Sequence, residues 1–133
     1  MLMKIIIVIA LIVVAYFGWQ AISKVIVWDQ GSFQAKTNSL DRARERDVDE
    51  VGKKLKSFAA NNSGSFPASV DILINQGYVT ALPLEPAGGS YDYWVSDSRK
   101  SATYLARLET NNIYCWGSFN GSRQVETSDD CQP

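Results

Sequence analysis

SLDRARERDVDEVGKKLKSFAA, residues 39–60, is the stretch on which the fold turns. Val48, Val51, Leu55 and Phe58 recur at steps of three and four, the spacing that puts side chains on one stripe of an α-helix. That stripe is the expected core contact. The other faces carry Arg42, Arg44, Glu45, Arg46, Asp47, Asp49, Glu50, Lys53, Lys54 and Lys56. Arg46–Glu50, Asp49–Lys53 and Glu50–Lys54 are opposite charges four residues apart, a spacing that supports a helix. Acids come early and lysines late, as the helix dipole favours. The signs are mixed, so these faces read as solvated helix surface rather than a nucleic-acid interface.

Upstream the composition changes abruptly. After Met1-Leu2-Met3-Lys4, the residues Ile5, Ile6, Ile7, Val8, Ile9, Leu11, Ile12, Val13, Val14, Phe17 and Trp19 form the expected membrane anchor. As a helix, residues 5–28 would be about 35 Å long at about 1.5 Å per residue, enough for a hydrocarbon layer of about 30 Å. The basic start favours a cytoplasmic N-terminus in the inner membrane and a head outside the cytoplasm. Two other readings stand beside the anchor: a signal peptide cleaved near Ala21-Ile22-Ser23, and a helix buried in a soluble core. The expected organisation is a transmembrane helix over 1–28, an amphipathic helix over 29–61 and a head over 62–133.

Downstream, Asn61-Asn62-Ser63-Gly64-Ser65 ends the helix. Ser69 is placed to cap a short helix that buries Ile72, Leu73 and Ile74, with Gly77 as its stop. Leu82-Pro83-Leu84-Glu85-Pro86 is rigid and extended, because each proline restricts itself and its predecessor. Three strands are expected, near 91–95, 104–108 and 113–119, joined by turns at 97–101 and 110–112. An antiparallel sheet of three strands, or slightly more, would pack on the apolar stripe, giving an α+β domain. The tail from Gly121 is expected to be a loop tied down by Cys131.

Chemistry is scarce. The chain has no histidine, which removes the commonest general base and metal ligand. It has no C-x-x-C, Walker A or G-x-G-x-x-G pattern. Glu109 with Asp92 is the one conceivable carboxylate pair of glycosidase type, and nothing else supports it. Asp129 and Asp130 are adjacent, which makes no cation cage. An enzyme, a cofactor, a metal, a small-molecule substrate and a nucleic-acid partner are all not expected. The two cysteines, Cys115 and Cys131, read as one disulfide of an exported domain. The aromatic set Tyr91, Tyr93, Trp94, Tyr104, Tyr114, Trp116 and Phe119 has two readings, an exposed patch, with Trp94 and Trp116 as its candidates, or the sheet core and ordinary cross-strand pairs.

The ordered pieces carry a resemblance. Gly64-Ser65-Phe66-Pro67, the short helix ending Gly77-Tyr78, Leu82-Pro83-Leu84-Glu85-Pro86, Tyr91-Asp92-Tyr93 and Tyr104 to Glu109 follow one another as in bacterial type IV pilins and type II secretion pseudopilins. The resemblance covers about residues 42–115. It implies a subunit whose N-terminal helices pack into a filament core, with a cytoplasmic ATPase doing the work, and a disulfide-bounded loop at Cys115–Cys131. It implies other pilin-like subunits and the membrane as partners. The family's leader glycine and its glutamate at the fifth mature position do not occur here; the first acidic residue is Asp29. That departure favours the alternative, a stand-alone membrane-anchored envelope domain acting as adhesin, scaffold or assembly factor.

Overall fold

A computed structural model describes residues 34–132. The expected membrane anchor, with residues 5–28, therefore lies outside the described residues. Among the described residues no helix is long and apolar enough to cross a membrane.

Helix α1 runs through residues 34–61. Its stripe is buried as the periodicity predicts: Val48, Val51, Leu55 and Phe58 all lie in the core, and Ala59 extends it. At its C-terminal end the Asn62 side-chain amide donates to the Phe58 carbonyl at 2.8 Å, and Gly64 N–H donates to the Ala59 carbonyl. These bonds satisfy carbonyls that a helix end leaves open. Phe66 and Pro67 then turn inward. The Phe66 ring meets Trp116 edge-on with centroids 6.1 Å apart.

Helix α2, Ile72–Asn75, is a single turn. Its N-cap position is Asp71 rather than Ser69, and no side chain caps it. Only Leu73 is buried, while Ile74 is exposed and Ile72 half-buried. One helical turn can aim one residue squarely at the core, so the expectation that all three apolar residues are buried is corrected. The stop is as expected. Gly77 sits at φ 75°, with Gly77 N–H on the Ile74 carbonyl and Tyr78 N–H on the Leu73 carbonyl. That pair of bonds around a left-handed residue is the Schellman closure that glycine permits.

The sheet has four strands in the order β1-β2-β3-β4, all neighbours antiparallel. They are β1 Asp92–Val95, β2 Ala102–Arg107, β3 Ile113–Gly117 and β4 Gly121–Val125. β4 corrects the expectation of a loop after Gly121. Gly-Ser-Arg-Gln-Val has almost none of the β-branched and aromatic signal of a strand, and it pairs through its backbone at the sheet edge. The β2–β3 connection closes through Leu108 N–H to the Asn112 carbonyl and Asn111 N–H to the Leu108 carbonyl, with Asn111 at φ 63°. Asparagine tolerates that left-handed position better than most residues.

Alternation gives the sheet two faces. Ala102, Tyr104, Ala106 and Trp116 face α1 and share its core, with Tyr93, Val95 and Tyr114 at the margin. Leu105, Ile113 and Cys115 point the other way and form a second cluster with Cys131, flanked by Trp94 and Val125. The 3₁₀ turn Asp129–Cys131 reaches that face. The Cys115–Cys131 bond pins it there, and Thr103 Oγ1 donates to the Cys131 carbonyl at 2.7 Å. Both faces are thus covered within Thr37–Pro133, one compact unit.

Candidate functional site

Arg44 is the most unusual side chain in the domain. The sequence places it on the charged surface of α1, yet it is only 4 % exposed. Its guanidinium donates to three carboxylates: Nη1 to Asp41 and Nη2 to Glu109 at 2.9 and 2.8 Å, and Nε to Glu85. Glu85 is fixed further by the N–H groups of Ala87 and Gly89. The Asp41 carboxylate also accepts Glu109 N–H at 2.9 Å. Burial by itself would lower the Arg44 pKa, but Glu109, Glu85 and Asp41 outweigh it and the guanidinium is held firmly charged. Burial would likewise raise Glu85; the Gly89 N–H, Arg44 and the Ala87 N–H together hold it below the usual carboxylate range.

Two further acids of α1, Asp47 and Asp49, also turn toward the sheet. Asp47 accepts the Tyr91 hydroxyl at 2.7 Å, and Asp49 accepts the hydroxyls of Tyr114 and Ser122. Burial and then Asp47 push the Tyr91 phenol well above its ordinary pKa; burial and Asp49 raise Tyr114. The predicted pairs Arg46–Glu50, Asp49–Lys53 and Glu50–Lys54 are not among the ion pairs of the described residues. For Asp49 the reason is competition, because the Tyr114 and Ser122 hydroxyls take its carboxylate, and Arg46 reaches Asp47 instead, at 3.6 Å. Lys53, Lys54 and Lys56 are left exposed on the solvent side.

That side carries a groove of about 390 Å³. Glu50, Lys53, Lys54 and Ser57 form its helix wall, Val79, Ala81 and Pro83 the opposite wall, and Val51 reaches its floor. Two large apolar side chains stand out in solvent elsewhere. Leu84 is 90 % exposed between its two prolines, and Phe119 is 75 % exposed in the β3–β4 turn. Phe119 belongs to the aromatic set weighed as an exposed patch; Leu84 as a surface feature and Arg44 as a buried centre were not expected from the sequence.

The predicted sites fall as follows. Cys115 and Cys131 are joined, and no free cysteine remains. Trp94 is half-buried beside the Cys131 cluster. Trp116 is not an exposed patch residue; it is 8 % exposed and its indole lies against Gly52 of α1. Register decides this, because Trp116 pairs with Tyr104 and shares its inward face. Asp92 and Glu109 do not work as a pair: Asp92 binds Arg107 at 3.3 Å while Glu109 binds Arg44. Among the described residues no group of three or more His, Cys, Asp or Glu is arranged to hold a metal ion.

This arrangement joins parts of the chain that are distant in sequence. Arg44 ties the helix at once to the 82–86 connector and to the β2–β3 turn, and the aspartates tie it to the sheet. The sheet and its connectors are fastened to α1, and Lys53, Lys54, Lys56, Leu84 and Phe119 are exposed. No family model matches the chain, and comparison with curated proteins and with solved structures gives no match.

Proposed function

We propose that the protein is a non-enzymatic subunit of a type IV pilus-like or type II secretion pseudopilus-like filament. It is held in the inner membrane by its apolar N-terminal segment, with its head on the periplasmic or extracellular side. The observation that carries the reading is the convergence on Arg44. Glu85 and Glu109 are the acids of Leu82-Pro83-Leu84-Glu85-Pro86 and of Tyr104 to Glu109, two of the ordered pieces that resemble the pilin pattern. Both spend their carboxylates on one guanidinium of the helix. The two pieces thus share one structural task, fastening the head to the helix. A subunit that packs by its helix and displays its head needs that fastening, because a loosely hinged head would not hold a repeating position.

A second reading keeps the same head on a stand-alone membrane anchor, serving as adhesin, scaffold or assembly factor. The absence of any acidic residue from the apolar stretch 5–28 favours it. The mature N-terminus separates the two. Mass spectrometry of the membrane-derived protein showing a shortened, N-methylated start supports the filament subunit; an intact Met1 supports the simple anchor. Cleavage after Ser23 with release of a soluble head sinks both.

A further inference from the structure

The two outward features of the head complement each other. The groove between α1 and the 79–83 segment has an apolar lining of Val51, Val79, Ala81 and Pro83. On its rim stand the exposed Glu50 and the lysines Lys53 and Lys54, neither lysine having an ion-pair partner among the described residues. Its size is at the lower end of ligand-sized clefts, which run from about 300 to 1,000 Å³. Phe119 is the converse, an exposed apolar knob. It borders a small cleft shared with Arg123, Cys131 and Gln132, and the exposed carboxylates of Asp129 and Asp130 directly precede Cys131. Arg123 of the same cleft donates to the Asp130 carbonyl and ties the turn that carries the two acids to β4.

We infer that the groove takes Phe119 of a second copy of this chain, with Asp129 and Asp130 of that copy meeting Lys53 and Lys54. The occupant is argued from charge complementarity: two lysines against one glutamate on the rim of an apolar slot, and two exposed aspartates against one arginine on the turn next to an apolar knob. Complementary potentials of this kind fix partner and register at an interface. The two features belong to different elements, α1 with the 79–83 segment on one side and the β3–β4 turn with the C-terminal 3₁₀ turn on the other. The contact is therefore heterologous, and each copy that offers a knob keeps a vacant groove. Such contacts close into rings or run on as open helical assemblies. This inference rests on the filament reading and names the head-to-head contact within it.

The test uses the full-length chain in its native membrane, carrying a photo-crosslinking benzoylphenylalanine in place of Phe119. The expected result is a ladder of chain-to-chain products whose mapped peptides fall in residues 50–57 or 79–83. Lys53→Glu with Lys54→Glu in the receiving copy is expected to reduce the product about tenfold or more, because like charges then face each other. Asp129→Lys with Asp130→Lys in the donating copy is expected to restore it. Products that map elsewhere on the chain, products with a different protein, or indifference to both charge reversals overturn the inference. A second probe at Val13 keeps the two readings apart. Chain-to-chain products from position 13 without groove products from position 119 leave the filament and remove this contact. Groove products from position 119 without any from position 13 leave this contact and remove the helix-packed filament.

Discussion

Arg44 shows what a single buried cation asks of its surroundings. Asp41 and Glu85 are nearly as buried as Arg44 itself, whereas the Glu109 side chain is 38 % exposed. Removing the cation strands the two buried acids, and breaking a buried pair from one side costs about 3–5 kcal/mol. Arg44→Met is therefore expected to remove much of the domain's stability, given that domains hold only about 5–15 kcal/mol. Glu109→Gln, at the exposed end, is expected to cost about 1 kcal/mol. Urea melts of the three proteins check the order. Glu85 adds a pH dependence. Its carboxyl is held below the ordinary range by the folded state. The stability it contributes is present above the unfolded carboxyl pKa and is lost as pH falls through the folded one. The gap in melting temperature between wild type and Glu85→Gln should be full at pH 7 and should close in acid below the ordinary carboxylate range. A gap that stays constant down to pH 2 contradicts the assignment.

At the level of elements, the closest fit is between α1 and β3. A Cβ built on Gly52 would lie 2.4–2.6 Å from atoms of the Trp116 indole. Alanine normally improves on glycine in a helix by about 1 kcal/mol. Here Gly52→Ala is expected to destabilise instead, by about 1–3 kcal/mol, because overpacking forces the ring or the helix to move. Trp116→Leu in the same chain should recover part of that loss, since contacting residues are coupled. Thermal denaturation of the four proteins of the cycle measures it. The helix itself was readable because its stripe is local: Val48, Val51, Leu55 and Phe58 announce one another within three turns. The fate of Arg44 was not, because its partners Glu85 and Glu109 lie 41 and 65 residues away. A rule of neighbours four apart pairs Asp49 with Lys53, and it has no means of weighing Tyr114 and Ser122. Trp116 failed for a related reason. Alternation separates the two faces of a strand but does not say that both are covered, one by α1 and the other by the last turn of the chain.

On the scale of the whole domain, the second covered face depends on one covalent link. The 3₁₀ turn over Leu105 and Ile113 is held by Cys115–Cys131, with a sequence separation of 16. Closing a loop of that length is worth about 3 kcal/mol in the chain-entropy account. In a domain of this size each kcal/mol moves the melting point about 4–8 °C, so reduction should lower it by about 12–24 °C. A scan with and without reductant tests this. Two thiols that alkylate freely in the native protein would contradict the pairing.

The clasp at Arg44 also imposes an order of events. A polypeptide grows from its N-terminus, so the guanidinium and Asp41 emerge together, early, on a helix with nothing yet to hold. Glu85 arrives next, and Glu109 only after a further stretch that includes β1 and β2. Until then the segment has a cation that only Asp41 can meet and a bare apolar stripe, a ready substrate for chaperones and proteases. Ribosome-bound chains carrying a C-terminal linker long enough to clear the exit tunnel should be digested readily when they stop before Glu109 and should resist when they include Cys131.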